Sequence, residues 1–74
     1  MVTVRVLRSD SGKPAKSARV CIGFSSLFRG VTGNEYTDSN GDAHFDADPG
    51  QGKVFVNGST VHEGSLKGRV VVYI

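Results

Sequence analysis

The chain alternates apolar and polar residues with a period of two along most of its length. Val2, Val4 and Val6 alternate with Thr3, Arg5 and Leu7, the signature of a strand with one buried face. Ala18, Val20, Ile22 and Phe24 repeat it against Arg19, Cys21 and Gly23. Shorter candidates follow at Glu35–Thr37, at Ala43–Asp48 (Ala43, Phe45 and Ala47 inward), at Lys53–Asn57 and, weakly, at Thr60–Glu63. A β-branched run, Arg69–Ile74, closes the chain. Between these lie breakers: Ser9–Pro14, the loop Ser25–Asn34, Asp38–Asp42 with its hairpin-type Asn40-Gly41, Asp48–Gly52, Asn57-Gly58 and Gly64–Gly68. No window has helical spacing, so fewer than ~10% of residues should be helical. The pattern predicts about seven short strands, an all-β sandwich or barrel, with both terminal strands tied into the sheets.

Size and composition narrow this. The 74 residues make one domain, 1–74, with 38% apolar and 22% charged residues. That balance excludes a disordered chain and a coiled coil. A chain this short buries only about 60% of its unfolded surface, so its stability is marginal. The pI near 9.0 reflects 9 basic against 7 acidic residues. The basic residues are scattered, unlike the dense stripe of a nucleic-acid binder. Cys21, the only cysteine, sits in an apolar run and reads as a small packed hydrophobe. No signal-peptide pattern opens the sequence, and no apolar run approaches the ~20 residues of a membrane span. The expectation is a cytoplasmic protein, unless this is a domain excised from a longer one.

Gly12-Lys13-Pro14-Ala15-Lys16-Ser17-Ala18-Arg19-Val20 resembles the G-x-P-x-x-x-A-x-V stretch that opens many bacterial prealbumin-like domains. Tyr36-Thr37-Asp38-Ser39-Asn40-Gly41-Asp42-Ala43-His44-Phe45 looks like their T-D-x-x-G-x-x-x-F hairpin. Asp48-Pro49-Gly50, Val54-Phe55-Val56 and Gly58 look like the P-G and V-x-V continuation. The chain thus resembles, over about Val2 to Asn57, the carboxypeptidase regulatory-domain-like and Cna B-type group of transthyretin-like sandwiches. The resemblance implies a small seven-stranded Greek-key β-sandwich serving as a stalk, spacer or interaction module. Some members close an isopeptide bond from a first-strand Lys to a last-strand Asn. Here the first strand carries Arg5 and the last has no Asn, so no such bond is expected. Hydrolases on the transthyretin fold end in Tyr-Arg-Gly-Ser; this chain ends Val-Val-Val-Tyr-Ile.

Candidate chemistry is sparse. Asp38, Asn40 and Asp42 have the 1, 3, 5 spacing of a calcium loop, but Ala43 and Pro49 stand where its glycine and bidentate acid belong. A turn accounts for all three. His44 and His62 both fall on polar faces by alternation, and could share zinc with Asp46 or Glu63 only if their strands were neighbours. No serine occupies a nucleophile elbow and no glycine run forms a phosphate loop. The sequence implies no enzyme, no cofactor and no small-molecule substrate.

The most informative residues are apolar ones on the polar face. Leu7, Phe55, Val71 and Tyr73 alternate with the buried set, and Leu27 and Phe28 tip a glycine-flanked loop. Either a small core recruits them, or they serve a protein partner or a homodimer through an outer face holding Phe55, Val71 and Tyr73. Sheet-edge pairing through the last strand is the cheapest physical route to a partner. The competing expectation is a small basic barrel that binds single-stranded nucleic acid.

Overall fold

The structure is a computed structural model that describes residues 1–25 and 29–74. It is all-β, with seven strands in two sheets and no helix among the described residues. The strands are β1 (Val2–Leu7), β2 (Arg19–Phe24), β3 (Glu35–Tyr36), β4 (Asp42–Phe45), β5 (Gly50–Val56), β6 (Ser59–Leu66) and β7 (Gly68–Tyr73). One sheet runs β4-β1-β7 and the other β3-β2-β5-β6. The terminal strands pair in parallel, from Val2 opposite Gly68 to Leu7 opposite Tyr73. The other pairings are antiparallel.

The alternation works as expected. Val2, Val4 and Val6 of β1, Val20 and Ile22 of β2, Val54 and Val56 of β5, and Val70 and Val72 of β7 face one another between the sheets. Ala15, Ala18, Ala43, Phe45 and Leu66 complete this core, with Phe24 and Val61 packed against it. Each buried valine, isoleucine, leucine or phenylalanine contributes about 1.5–3 kcal/mol, and valine, already stiff at χ1, loses little freedom when it packs on a pleated surface.

Turn chemistry explains where the expected strands change length. Asn57 and Gly58 take φ of 51° and 88°, giving the primed turn that joins β5 to β6. Asn40-Gly41 does not make the expected hairpin. β3 and β4 lie in different sheets, and Asp38–Asp42 carries the chain across. Gly41, at φ 80°, lies so close to β1 that an added Cβ would sit 2.6 Å from the Val6 carbonyl oxygen. The expected breaker at Asp48–Gly52 also differs: β5 begins at Gly50. Gly52 is a strand residue against the Gly23 carbonyl, with no room for a side chain. The expected loop Gly64–Gly68 is mostly strand, because Leu66 is anchored in the core and Lys67 alone turns the corner into β7.

Thr37 ties the entry to β2. Its buried hydroxyl donates to the Ala15 carbonyl at 2.6 Å and accepts from the Ala18 N–H at 2.8 Å. Its backbone accepts from Ser17 N–H and donates to the Ala18 carbonyl. This clamp holds Ser17 at φ 56°, a conformation a serine rarely adopts. Arg29 ties down the opposite end. Its guanidinium stacks 3.6 Å over the Phe24 ring and donates to the Asp48 and Pro49 carbonyls.

In urea titrations, Thr37→Val should lower stability by about 2 kcal/mol, because it leaves a buried N–H and a buried carbonyl unpaired, whereas Thr37→Ser should retain most of it. Gly41→Ala should cost about 2–3 kcal/mol from strained φ plus backbone crowding. An unchanged midpoint in either would remove the role assigned to that residue.

Candidate functional site

The outer face of the three-stranded sheet grades from polar to apolar. At one end Thr3 stands between His44 and Arg69, in the middle Arg5 stands between Asp42 and Val71, and at the other end Leu7 stands beside Tyr73. The Thr3 hydroxyl lies 3.0 Å from His44 Nδ1. Arg5 donates through Nε and Nη2 to the two oxygens of Asp42, both at 2.9 Å. This fork fits a carboxylate's geometry. The Arg5 hydrogen bond holds the Asp42 carboxyl below the usual carboxylate range, and the same bond raises the guanidinium of Arg5.

Of the expected cation ligands, the turn uses Asp38 and Arg5 uses Asp42. Asp38 Oδ1 accepts the Asn40 and Asp42 amides at 2.9 and 3.0 Å, and Asn40 serves the turn through its backbone. Donor atoms of Asp38, Asp42 and His44 do come within 4.8 Å of one another. A cation there would have to displace the Arg5 fork, so the turn reading accounts for the cluster.

The histidines correct the sequence reading. His44 lies in β4 and His62 in β6, strands of different sheets, so they do not pair on one face. His62 is also not on the polar face. A bulge at Val54/Phe55 leaves Val61 without a partner in the ladder and sets His62 opposite the buried Val54, so both turn inward. His62 Nε2 is buried without a hydrogen-bond partner. Alternation alone gives no sign of this, since a bulge breaks the period that the inference uses.

The outward apolar residues separate into two groups. Val71 and Tyr73 are 43% and 58% exposed on β7, and Leu7 is half-buried beside Tyr73. Phe55 points outward from the other sheet, so the single face expected to hold Phe55, Val71 and Tyr73 does not exist. Phe55 pairs with Cys21, and its ring packs beside Gly23, where an added Cβ would sit 3.1 Å from Cε2. It is partly absorbed into its own sheet. Leu27 and Phe28 lie outside the described residues.

The feature the sequence partly signalled is the edge strand itself. Among the described residues, β7 pairs only with β1, and its other side is open. The remaining edges are protected in familiar ways. β3 is two residues long, β4 is four and carries Asp42, and β6 is bulged with Glu63 on it. β7 has six residues, no bulge, no proline and one charge, Arg69, near its start.

The Asp42 carboxyl titrates lower in the folded chain than in the unfolded one, so its pairing stabilises the fold above the unfolded pKa of about 3.9 and is lost as pH falls through the folded value. Asp42→Asn should therefore lower stability by about 1–2 kcal/mol at pH 7, with the gap to wild type closing below about pH 4. A gap that stays constant between pH 7 and pH 3 in denaturant titrations would contradict the Arg5–Asp42 assignment.

Comparison of the chain with protein-family models, with curated proteins and with solved structures returns no match.

Proposed function

We propose that this chain is a non-enzymatic structural or protein-interaction module, a prealbumin-like Greek-key sandwich that engages its partner through the open edge of β7 and the adjoining face. The observation that carries the reading is the contrast between the edges: among the described residues, β3, β4 and β6 are short, charged or bulged, and β7 alone is long, regular and apolar. Unpaired backbone groups along such an edge template the addition of another strand. The connections β1 to β2, β3 to β4, β4 to β5 and β6 to β7 all cross between sheets, which supports the Greek-key topology. No cleft opens among the described residues to enclose a small substrate.

The competing reading is single-stranded nucleic acid on the four-stranded sheet. Its outer face carries Arg19 opposite Tyr36 and Lys53 beside Phe55. But Lys53 is 3.4 Å from Glu63 and Phe55 packs beside Gly23, which leaves little free charge or ring face for stacking.

Amide-resolved NMR titration separates the two. A set of extended, strand-forming peptides should shift Arg69, Val71 and Tyr73, and Val71→Lys should abolish the effect. Mixed-sequence oligonucleotides at low salt, where polyanion binding is strongest, should shift nothing. Shifts confined to Arg19, Tyr36 and Phe55 on adding oligonucleotide, with no peptide response at β7, would replace the interaction reading with the nucleic-acid one.

A further inference from the structure

We infer that the strand added to β7 is β7 of a second copy, in antiparallel alignment with the two-fold axis at Val71, an inference that rests on the open-edge reading above. The backbone directions fix the geometry. Ile74 donates to the Leu7 carbonyl at 2.9 Å and accepts from Ser9 N–H at 2.8 Å, so Ile74 turns both of its backbone groups toward β1. Because a strand alternates direction residue by residue, Val72 and Val70 do the same. Arg69, Val71 and Tyr73 then point their N–H and C=O groups at the open side.

One two-fold alignment pairs all three of these outward residues. An axis at Val70 sets Tyr73 opposite Lys67, beyond the strand, and an axis at Val72 leaves Arg69 without a partner, so each forms two hydrogen-bonded pairs instead of three. An axis at Arg69 would set the two guanidinium groups opposite each other, a like-charge pair that destabilises a ladder. An axis at Tyr73 would run out of strand one residue later. An axis at Val71 sets Val71 opposite its own copy and Arg69 opposite Tyr73 of the second copy, each pair exchanging two backbone hydrogen bonds.

The side chains fit that alignment. On the outer face, each Arg69 cation meets the π-face of the other copy's Tyr73, flanking an apolar Val71 pair. On the inner face, Val70 meets Val72 of the second copy and the two valine cores become continuous across the axis. A net charge of +2 per copy offers little repulsion. The result is one six-stranded sheet, β4-β1-β7 continued by β7-β1-β4 of the other copy. A contact of one strand pair lies at the small end of interface sizes, well short of the ~1,200 Å² of a stable complex, so the dimer is a weak one that concentration should drive.

Sedimentation equilibrium from about 10 μM to about 1 mM, combined with cysteine cross-linking in a Cys21→Ser background, tests it. Wild type should pass from monomer to dimer over that range, and Val71→Lys should weaken association about tenfold or more, with an unchanged melting temperature. Val71→Cys should oxidise to a covalent dimer, since a hydrogen-bonded pair sets Cα atoms ~5.5 Å apart, within disulfide reach. Arg69→Cys should cross-link when mixed with Tyr73→Cys but not alone. Should Val71→Lys fail to fold, Tyr73→Ser, at a more exposed position, replaces it. A chain that stays monomeric throughout, or a dimer that ignores both substitutions, would overturn the self-pairing. In the monomeric case strand peptides still shifting β7 would show that the open edge takes a different partner, and their silence would remove the edge reading as well.

Discussion

The parallel ladder between β1 and β7 organises this molecule. It joins the two ends of the chain, from Val2 opposite Gly68 to Leu7 opposite Tyr73, and places three inward valines of β1 beside Val70 and Val72. Forming it requires closing nearly the whole chain into a loop, an entropic cost that only burial of the valine core offsets. Its position also decides what remains exposed. β1 is central, with β4 on one side and β7 on the other, so among the described residues the last strand has no further neighbour. The same constraint that holds the termini together leaves β7 with an open side.

Much of the fold was legible because the buried faces keep a strict period of two. Val2, Val4 and Val6, or Val54 and Val56, can be assigned inward from spacing alone, and Asn57-Gly58 is a turn by its own conformational preferences. What could not be read depends on contacts distant in sequence. Asn40-Gly41 has hairpin chemistry, yet its flanking strands belong to different sheets, because Ala43 and Phe45 bury against β1 and Gly41 presses on the Val6 carbonyl. Gly50 and Gly52 resemble loop residues but are strand positions pressed against Arg29 and Gly23. Composition cannot distinguish a glycine that turns from one that admits a neighbour.

The candidate site was legible in part for the same reason. Val71 and Tyr73 are outward by alternation and are so in the structure. Phe55 is outward too, but which sheet a strand joins is a topological fact that spacing does not carry, and Phe55 belongs to the opposite sheet. Alternation places His62 on the polar face, but one bulge shifts the phase of β6 and sets it opposite the buried Val54. The edge strand's significance emerges only by comparison with the protected edges, which needs the full strand order. A small core makes that comparison meaningful. With so few large side chains to bury, apolar residues left on a regular, unprotected edge stand out from the expected background.

Amide hydrogen exchange along β7 tests the central claim most directly. If β7 is an open edge that pairs with its own copy, dilute protein should show alternation: protected amides at Val70 and Val72, bonded to β1, and fast exchange at Arg69, Val71 and Tyr73. Raising the concentration should slow exchange at those three while leaving Val70 and Val72 unchanged. Uniform protection along β7 in dilute solution, or exchange at Val71 that is indifferent to concentration, would contradict the account.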